Sequence, residues 1–237
     1  MNKSQKLLPA LRAAFPHTIP ILAGFLFLGL TYGVYMSVSG FAWWYPCLMG
    51  LVIYAGSMQF VTVNLLLAAF NPLQAFAMAL LVNARHLFYG ISLLEKYRGA
   101  GKWKAYLIYA LTDETFSINC SAEPPEGVDR SLFMLCVSLL NQSYWVIAST
   151  LGGIFGSMLT ISTEGLDFAM TAMFVVIFLE NWLKSKNHTN AILGIVLPVL
   201  CLILFGADAF MIPAMISILA ALTLLRGKLS EKEVAEP

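Results

Sequence analysis

The segment PLQAFAMALLVNARHLFYGISLL, residues 72–94, decides how this chain folds. It is long and apolar enough to cross a bilayer as a helix, because about 20 residues suffice for that. Nevertheless, Asn83, Arg85 and His86 lie at its middle. A charged residue at the bilayer centre costs about 2.5–3.5 kcal/mol, so such residues normally face a protein interior or a water-filled path. The segment therefore predicts a polar site within the membrane.

The next apolar segment, AYLIYALTDETFSINCSA at 105–122, carries Asp113 and Glu114 at its own middle. The two segments flank one polar loop, residues 95–104. Arg85 and Asp113 are each separated from this loop by about 14 Å of helix, so they lie at matching heights in an antiparallel helix pair. The spacing predicts that the two side chains meet.

The composition of the chain is that of a membrane protein. Of its 237 residues, 59% are apolar and only 11% are charged, whereas soluble domains carry about 25% charged residues. Successive apolar runs predict an all-α polytopic fold. The net charge of +1 and the lack of a basic patch among aromatic residues give no reason to expect a nucleic-acid partner. The four cysteines have no metal-ligand spacing, so we expect inert buried thiols, no metal site and no cofactor.

The chain contains about seven to eight apolar segments joined by short connections, and together they form a single transmembrane domain, residues 1–237. The eight candidates are 17–38, 42–70, 72–94, 105–122, 131–157, 167–183, 190–206 and 209–225. We expect residues 1–16 and the polar tail 226–237 to be cytoplasmic. Between them, residues 17–122 hold a first repeat and its neighbouring helix, and residues 131–225 hold a second half and a C-terminal hairpin.

Two of these segments, 42–70 and 131–157, are longer than one crossing requires and contain small or polar residues at their middle. Each is expected to be a strongly tilted helix, a broken helix or a re-entrant hairpin. The interrupting residues are Gly56, Ser57 and Gln59 in the first segment, and Asn141, Gln142 and Ser143 followed by Gly152, Gly153 and Gly156 in the second.

The two interrupted segments occupy corresponding places in a weak internal repeat of three segments. The matching positions are Leu30-Thr31 with Leu111-Thr112, Gln59 with the region of Gln142, and Asn83 with Asn181. In many secondary transporters, interrupted helices at equivalent positions of two repeats form the substrate site. The repeat therefore favours a transporter.

The basic residues of the loop 95–104 bear on how the chain crosses the membrane. If all eight segments cross, this loop lies outside, against the positive-inside rule. If the segments 42–70 and 131–157 are re-entrant, the loop lies inside and the rule is satisfied. Hydropathy alone favours eight crossings, so the number stays open. Both arrangements place the N- and C-termini in the cytoplasm.

The polar residues of the two central segments indicate a binding site. Arg85 is expected to hold a substrate carboxylate or to be held by Asp113, while Asp113 or Glu114 receives an ammonium group or a proton. His86 is a further candidate, since the unperturbed pKa of a histidine lies near 6.5. Asp113 and Glu114 point about 100° apart on a helix, so only one of them can face Arg85 squarely. The alternative is an Arg85–Asp113 pair that only pins two helices together.

The interrupted segments offer two readings as well. A break at Gly56, Ser57 and Gln59 would expose backbone groups and a helix N-terminus to a zwitterion, whereas a plain helix contact through small residues is the alternative. Asn141 and Gln142 need polar partners, which are either a substrate or other helices. The glycines at 152 and 156 are expected to serve helix packing. A Ser57–His86 dyad without further catalytic residues does not indicate an enzyme.

Three motifs together resemble the AzlC family. They are AGSMQF at 55–60, NARHLFYG at 83–90 and LTDETF at 111–116, in matching order along the chain. The resemblance implies the large subunit of a bacterial branched-chain amino-acid exporter in the cytoplasmic membrane. It also implies proton-driven export of valine, leucine, isoleucine and methionine, and a small AzlD-type partner subunit of about four transmembrane helices. The residues alone support a secondary transporter; the alternatives are a channel and an accessory subunit of a small-solute permease.

Overall fold

A computed structural model of the chain describes residues 3–69, 71–158 and 188–206, together with positions 175, 178, 179, 182, 183, 210, 213, 214, 216–218, 220, 221, 223 and 224. The regular elements in these parts of the chain are all helical. The chain forms two compact units, Met1–Leu166 and Asp167–Pro237. The predicted all-α fold agrees with this description.

Two long helices, α1 at Lys3–Val38 and α7 at Arg130–Met158, form the frame of the first unit. Within the described residues, Lys6–Val38 and Arg130–Met158 are the two helices that are long and apolar enough to cross a membrane. Helix α1 begins well before residue 17, so most of the N-terminal stretch that was expected to precede the first apolar segment belongs to the same helix.

Glycines bring α1 and α7 into backbone contact. A Cβ atom added to Gly33 would lie 2.0 Å from the carbonyl oxygen of Ser149, and one added to Gly152 would lie 2.2 Å from that of Leu30. A Cβ at Gly156 would lie 2.8 Å from the Cβ of Ser37. The helices therefore approach as closely as small residues permit, and the predicted packing role of the glycines at 152 and 156 is confirmed.

The segment 42–70 is broken, as predicted. It forms α2 at Trp44–Val52 and α3 at Gly56–Leu67. Between them, Tyr54 has a φ of 42°, in the left-handed region that is rare for a bulky side chain. The small and polar residues that suggested an interruption begin the second half-helix, and the break itself lies just before them.

The segment 131–157 is continuous, so the predicted break or re-entrant hairpin is wrong here. Helix α7 runs through Asn141 and Gln142 without interruption. Both amide side chains form hydrogen bonds with other helices. Polar side chains that find partners on neighbouring helices leave the backbone of their own helix intact.

The segment 105–122 is broken instead, which the sequence reading did not predict. A 3₁₀ turn at Gly101–Trp103 leads into α5 at Lys104–Tyr109, and α6 follows at Asp113–Ser121. The Thr112 hydroxyl accepts a hydrogen bond from the backbone N–H of Thr115 at 3.4 Å and so caps α6. The predicted repeat placed the second broken helix in the fifth segment, whereas the structure has it in the fourth.

Helix α4 spans Pro72–Ser92 without a break, in agreement with the predicted segment. In the second unit, α8 spans Thr189–Phe205. The predicted segments 167–183 and 209–225 lie mostly outside the described residues, as do Asn181 and the tail. The number of crossings and their direction stay predictions.

Candidate functional site

The guanidinium of Arg85 on α4 pairs with the carboxylate of Asp113, the first residue of α6. Arg85 Nη1 lies 2.8 Å from Asp113 Oδ2, so the predicted meeting of the two side chains is confirmed. The side chain of Arg85 is 41% exposed and that of Asp113 is 36% exposed. The pair is therefore formed but open on one side, where a third group can approach.

Arg85 also joins the pair to α3. Its Nη2 donates a hydrogen bond to the Oγ of Ser57 at 3.3 Å, and Ser57 is the second residue of α3. The guanidinium thus bridges the N-terminal turns of the two half-helices that follow the breaks. The first backbone N–H groups of a helix lack partners within it and carry the positive end of its dipole. Such a place favours an anion.

The carboxylate of Asp113 has one oxygen that can accept a further hydrogen bond. Its Oδ1 is buried and has no hydrogen-bond partner among the residues that the structure describes. Nε2 of His86 lies 3.9 Å from this oxygen, beyond hydrogen-bond distance. His86 therefore lies beside the pair, as predicted, without taking up the open oxygen.

Glu114 follows Asp113 on α6 but does not face Arg85. It is half-buried and lies near Tyr54 and Thr112. Within the described part of the chain it forms no ion pair. The sequence reading that only one of the two acids can face Arg85 agrees with this arrangement.

Asn83 is not brought to the pair. It is half-buried on α4, two residues before Arg85, and this separation points the two side chains about 200° apart. The described contacts include no hydrogen bond of its side chain. Its predicted role in binding has no support from the geometry.

Gln59 and Gly56 fix the start of α3 against α7. Gln59 is fully buried, and its Oε1 accepts a hydrogen bond from Nε1 of Trp145 at 2.6 Å. Its Nε2 has no partner in the described part of the chain. Gly56 packs against the same indole ring, since an added Cβ would lie 3.3 Å from Trp145 Cη2. The buried Nε2 group of Gln59 thus has no described hydrogen-bond acceptor.

The side chains of Asn141 and Gln142 form hydrogen bonds with other helices. Asn141 is fully buried and donates from Nδ2 to the Oγ1 of Thr115 at 3.1 Å, while its Oδ1 has no described partner. Gln142 accepts from the hydroxyl of Tyr106 at 2.6 Å and donates to the carbonyl oxygen of Gly50 at 3.3 Å. Interhelical hydrogen bonding, the alternative weighed for both amides, is what the structure shows.

An aromatic surface lies next to the ion pair. The rings of Tyr89 and Phe116 stack with centroids 4.3 Å apart, and His86 meets Tyr89 edge to face at 5.8 Å. Tyr89 lies one helical turn after Arg85, and Phe116 lies one turn after Asp113. The charged groups therefore have an apolar wall beside them.

Several residues of this region escaped the sequence reading. Thr112 and Thr115 were detectable, because a threonine followed by two acids is typical of a helix N-terminus. The roles of the others depend on contacts between distant parts of the chain and leave no local signal. They are Tyr54, Tyr106, Tyr109 and Trp145.

Metal binding finds no support in the described residues, which contain no group of three His, Cys, Asp or Glu side chains that could hold an ion. The cysteines are free, and Cys136 and Cys201 are buried as expected. Cys120 is exposed, so the expectation of four buried thiols is wrong for it. It lies near the end of α6, where the helix leaves the packed interior.

Comparison with known proteins places the chain among membrane transport proteins. A family model described as "AzlC protein" matches residues 20–159. The "Branched-chain amino acid transport protein AzlC" of Bacillus subtilis strain 168 is 56% identical over 99% of this chain and 92% of the relative. An "Uncharacterized membrane protein" of Haemophilus influenzae is 44% identical over 98% of each chain. The "Inner membrane protein YgaZ" of Escherichia coli K12 is 25% identical over 84% of this chain and 82% of the relative. No solved structure matches the chain.

Proposed function

The chain belongs to the AzlC family, and from that premise we propose that it is the large subunit of a proton-coupled exporter of branched-chain amino acids. Its substrates in this proposal are valine, leucine, isoleucine and methionine. It acts in the bacterial cytoplasmic membrane, with both termini in the cytoplasm and with a small AzlD-type subunit as partner. The name of the Bacillus subtilis relative points to transport and away from catalysis.

The observation that carries the proposal is the open Arg85–Asp113 pair at the N-termini of α3 and α6. An ion pair in contact with lipid is energetically unfavourable, so charged side chains within a membrane normally face protein or a water-filled path. A pair that is 41% and 36% exposed therefore supports a path for a polar solute on its open side. Discontinuous helices that aim their N-termini at a carboxylate are a recurring transporter site.

An α-amino acid fits this site by exchanging partners with the pair. The substrate carboxylate takes the Arg85 guanidinium, assisted by the N-terminal N–H groups of α3 next to Ser57. The substrate ammonium takes Asp113, whose Oδ1 is buried and has no hydrogen-bond partner among the described residues. Each buried charge keeps an opposite charge beside it throughout, which avoids the cost of an unpaired ion in a medium of low dielectric constant.

The rest of the site suits an aliphatic side chain. The stacked rings of Tyr89 and Phe116 border the pair, so an aliphatic group can bury apolar surface there while the charged end binds. The helix contacts next to the site involve Gly56, Gln59, Asn141 and Gln142. His86 lies beside Asp113. Asn83 stays a candidate on sequence grounds alone.

Proton coupling is assigned to Glu114 in this proposal. Asp113 already shares its charge with Arg85, whereas Glu114 has no ion-pair partner in the described residues. A proton on Glu114 would neutralise negative charge close to the ammonium position and weaken substrate binding there. Proton and amino acid then exclude each other, which is the requirement for exchange of one against the other.

The experiment is counterflow of radiolabelled valine in proteoliposomes that contain the full chain with its small partner. Arg85→Ala should lower exchange by at least about 30-fold, because it leaves one charge of a pair unpartnered and removes the carboxylate ligand. The matched control is Arg98→Ala, since Arg98 is 79% exposed and pairs with Glu95 on the loop. Full activity of Arg85→Ala would remove Arg85 from the site.

Two further arms separate the proposal from its alternatives. Omission of the partner should abolish export, so robust exchange by the large chain alone would contradict the two-subunit arrangement. Collapse of the pH gradient should stop net export while exchange at equilibrium continues. Flux without saturation by valine would indicate a channel.

A further inference from the structure

The break between α2 and α3 frees carbonyl groups that a continuous helix would use. In an α-helix the carbonyl of residue i accepts from the N–H of residue i+4. Gly50 and Leu51 would thus accept from Tyr54 and Ala55. Instead, the Tyr54 N–H donates to the carbonyl of Met49 at 3.2 Å, and Ala55 has extended backbone angles. A membrane interior offers these carbonyls no water, so they need other partners.

Side chains from two other helices donate the hydrogen bonds that these carbonyl groups would otherwise lack. Gln142 on α7 donates from Nε2 to the carbonyl oxygen of Gly50 at 3.3 Å. The hydroxyl of Tyr109 donates to the carbonyl oxygen of Leu51. Gln142 Nε2 also lies 3.4 Å from the Tyr109 hydroxyl. Two of the carbonyl groups freed by the first break, those of Gly50 and Leu51, are therefore bound by side chains from α7 and α5.

The same amide reaches the second break. Gln142 Oε1 accepts from the hydroxyl of Tyr106 at 2.6 Å. Tyr106 and Tyr109 both lie on α5, which ends at Tyr109, directly before the break that leads into α6. The Gln142 side chain is thus bonded to α2 and to α5, the half-helices that precede the two breaks.

Neighbouring residues of α7 hold the half-helices after the breaks. Asn141 binds Thr115 of α6, and Trp145 binds Gln59 of α3. These bonds connect α7 to each half-helix separately. Gln142 differs because its hydrogen bonds connect both broken helices to each other through a single group.

We propose that Gln142, together with Tyr106 and Tyr109, is a positioning residue that locks the two helix breaks into one register. The lock keeps the N-termini of α3 and α6 at a fixed separation around Arg85. The amide of Gln142 makes these bonds within the protein and does not touch the substrate. The consequence for transport rests on the proposed function; the coupling of the two breaks does not.

The test is hydrogen–deuterium exchange of the purified full chain with its partner in lipid nanodiscs. Gln142→Met keeps a similar volume and removes the three hydrogen bonds of the amide. Exchange should rise about two- to tenfold at the backbone amides of both breaks, residues 53–56 and 110–113, which is the effect of losing about one net hydrogen bond at each. The control is Ser143→Ala, because the exposed Ser143 bonds only to Leu139 of its own helix among the residues that the structure describes.

A second variant keeps the test decisive if Gln142→Met fails to fold. Tyr109→Phe removes one hydroxyl from α5 and should raise exchange at residues 53–56, although the change lies in a different helix. A rise confined to the mutated helix, in either variant, would overturn the proposed lock.

Valine kinetics give the functional readout. Gln142→Met should raise the KM for valine about two- to tenfold, with a smaller change in maximal rate, because the substrate ligands remain but their spacing is less well fixed. Ser143→Ala should leave the KM unchanged. Coupled exchange at the breaks with an unaltered KM would reject the positioning role while leaving the transporter proposal intact. Conversely, an unmodified protein without transport would reject that proposal and leave the coupling standing.

Discussion

Along the α1–α7 contact the backbones of two continuous helices touch, whereas at Arg85 and Asp113 the first turns of α3 and α6 meet α4 in a region with unpaired buried polar atoms. The first contact relies on Gly33 and Gly152, where no side chain fits. Around the second region, the atoms without a described partner are Asp113 Oδ1, Gln59 Nε2, Asn141 Oδ1 and the hydroxyl of Tyr54.

The α1–α7 contact is therefore the structural frame of the first unit, and the region around Arg85 and Asp113 is the candidate site. Buried polar groups are nearly always hydrogen-bonded, and the exceptions call for an explanation. Of the seven exceptions in the described residues, four lie around the helix breaks, whereas Tyr32 on α1, Asn119 on α6 and His188 lie elsewhere. The α1–α7 contact, where backbone meets backbone, can hold fixed a site that keeps unpaired polar groups.

The largest effect is expected from a methyl group placed in the frame. Gly33→Ala would put a Cβ atom 2.0 Å from the Ser149 carbonyl oxygen and 2.4 Å from the Gly153 nitrogen, both backbone atoms of α7. Overpacking of this kind costs about 1–3 kcal/mol or more, so folded protein in the membrane should fall steeply.

The matched control for the frame is Gly24→Ala on the same helix, where nothing lies within 4 Å of the added atom. Its thermal stability, measured in detergent by intrinsic fluorescence, should equal or exceed that of the unmodified protein. Equal losses in Gly24→Ala and Gly33→Ala would contradict the close α1–α7 contact.

An intermediate effect is expected from the two acids of the site, and it distinguishes their roles. Asp113→Asn should lower valine exchange at every pH, because Arg85 loses its partner and the ammonium group its ligand. Glu114→Gln should retain exchange but remove its dependence on pH, because the amide cannot take up the coupled proton. Equal, pH-independent exchange in both variants would rule out a proton-carrying acid at this site.

The smallest effect is expected at the hydroxyl of Tyr54, which is buried at the first break near Thr112 and Thr115 without a well-formed hydrogen bond to either. Tyr54→Phe should raise stability by up to about 1 kcal/mol, because an unsatisfied polar group leaves the interior. Tyr35→Phe should act in the opposite direction, since the Tyr35 hydroxyl donates to Asn64 Oδ1 at 3.2 Å. Thermal unfolding of the two variants side by side measures the sign, and destabilisation of both would show that the Tyr54 hydroxyl has a partner.

The sequence was sufficient to predict the ion pair. The pairing of Arg85 with Asp113 follows from their equal distances from one loop, which is a local and countable property of two helices. For the segment 42–70, a break was one of three forms expected from its excess length and small residues. The same signal in the segment 131–157 accompanies a continuous helix, so it does not decide between these forms.

The remaining features depend on contacts that no short stretch reveals. Asn141 and Gln142 resembled a break because their partners, on α2, α5 and α6, are distant in sequence. The break before Asp113 was hidden by apolar residues on either side, although Thr112 carries a capping signal. The left-handed backbone of Tyr54 is set by the surrounding packing, since nothing in its side chain favours that conformation.

In the proposed site, Arg85 binds the carboxylate and Asp113 the ammonium group of one small zwitterion. Competition against labelled leucine with two analogues measures these contacts separately: 4-methylpentanoate lacks the ammonium group, and isopentylamine lacks the carboxylate. Arg85→Ala should selectively lose inhibition by the acid and Asp113→Asn should selectively lose inhibition by the amine, each measured on residual leucine binding. If both analogues compete equally well in both variants, these two side chains do not contact the solute.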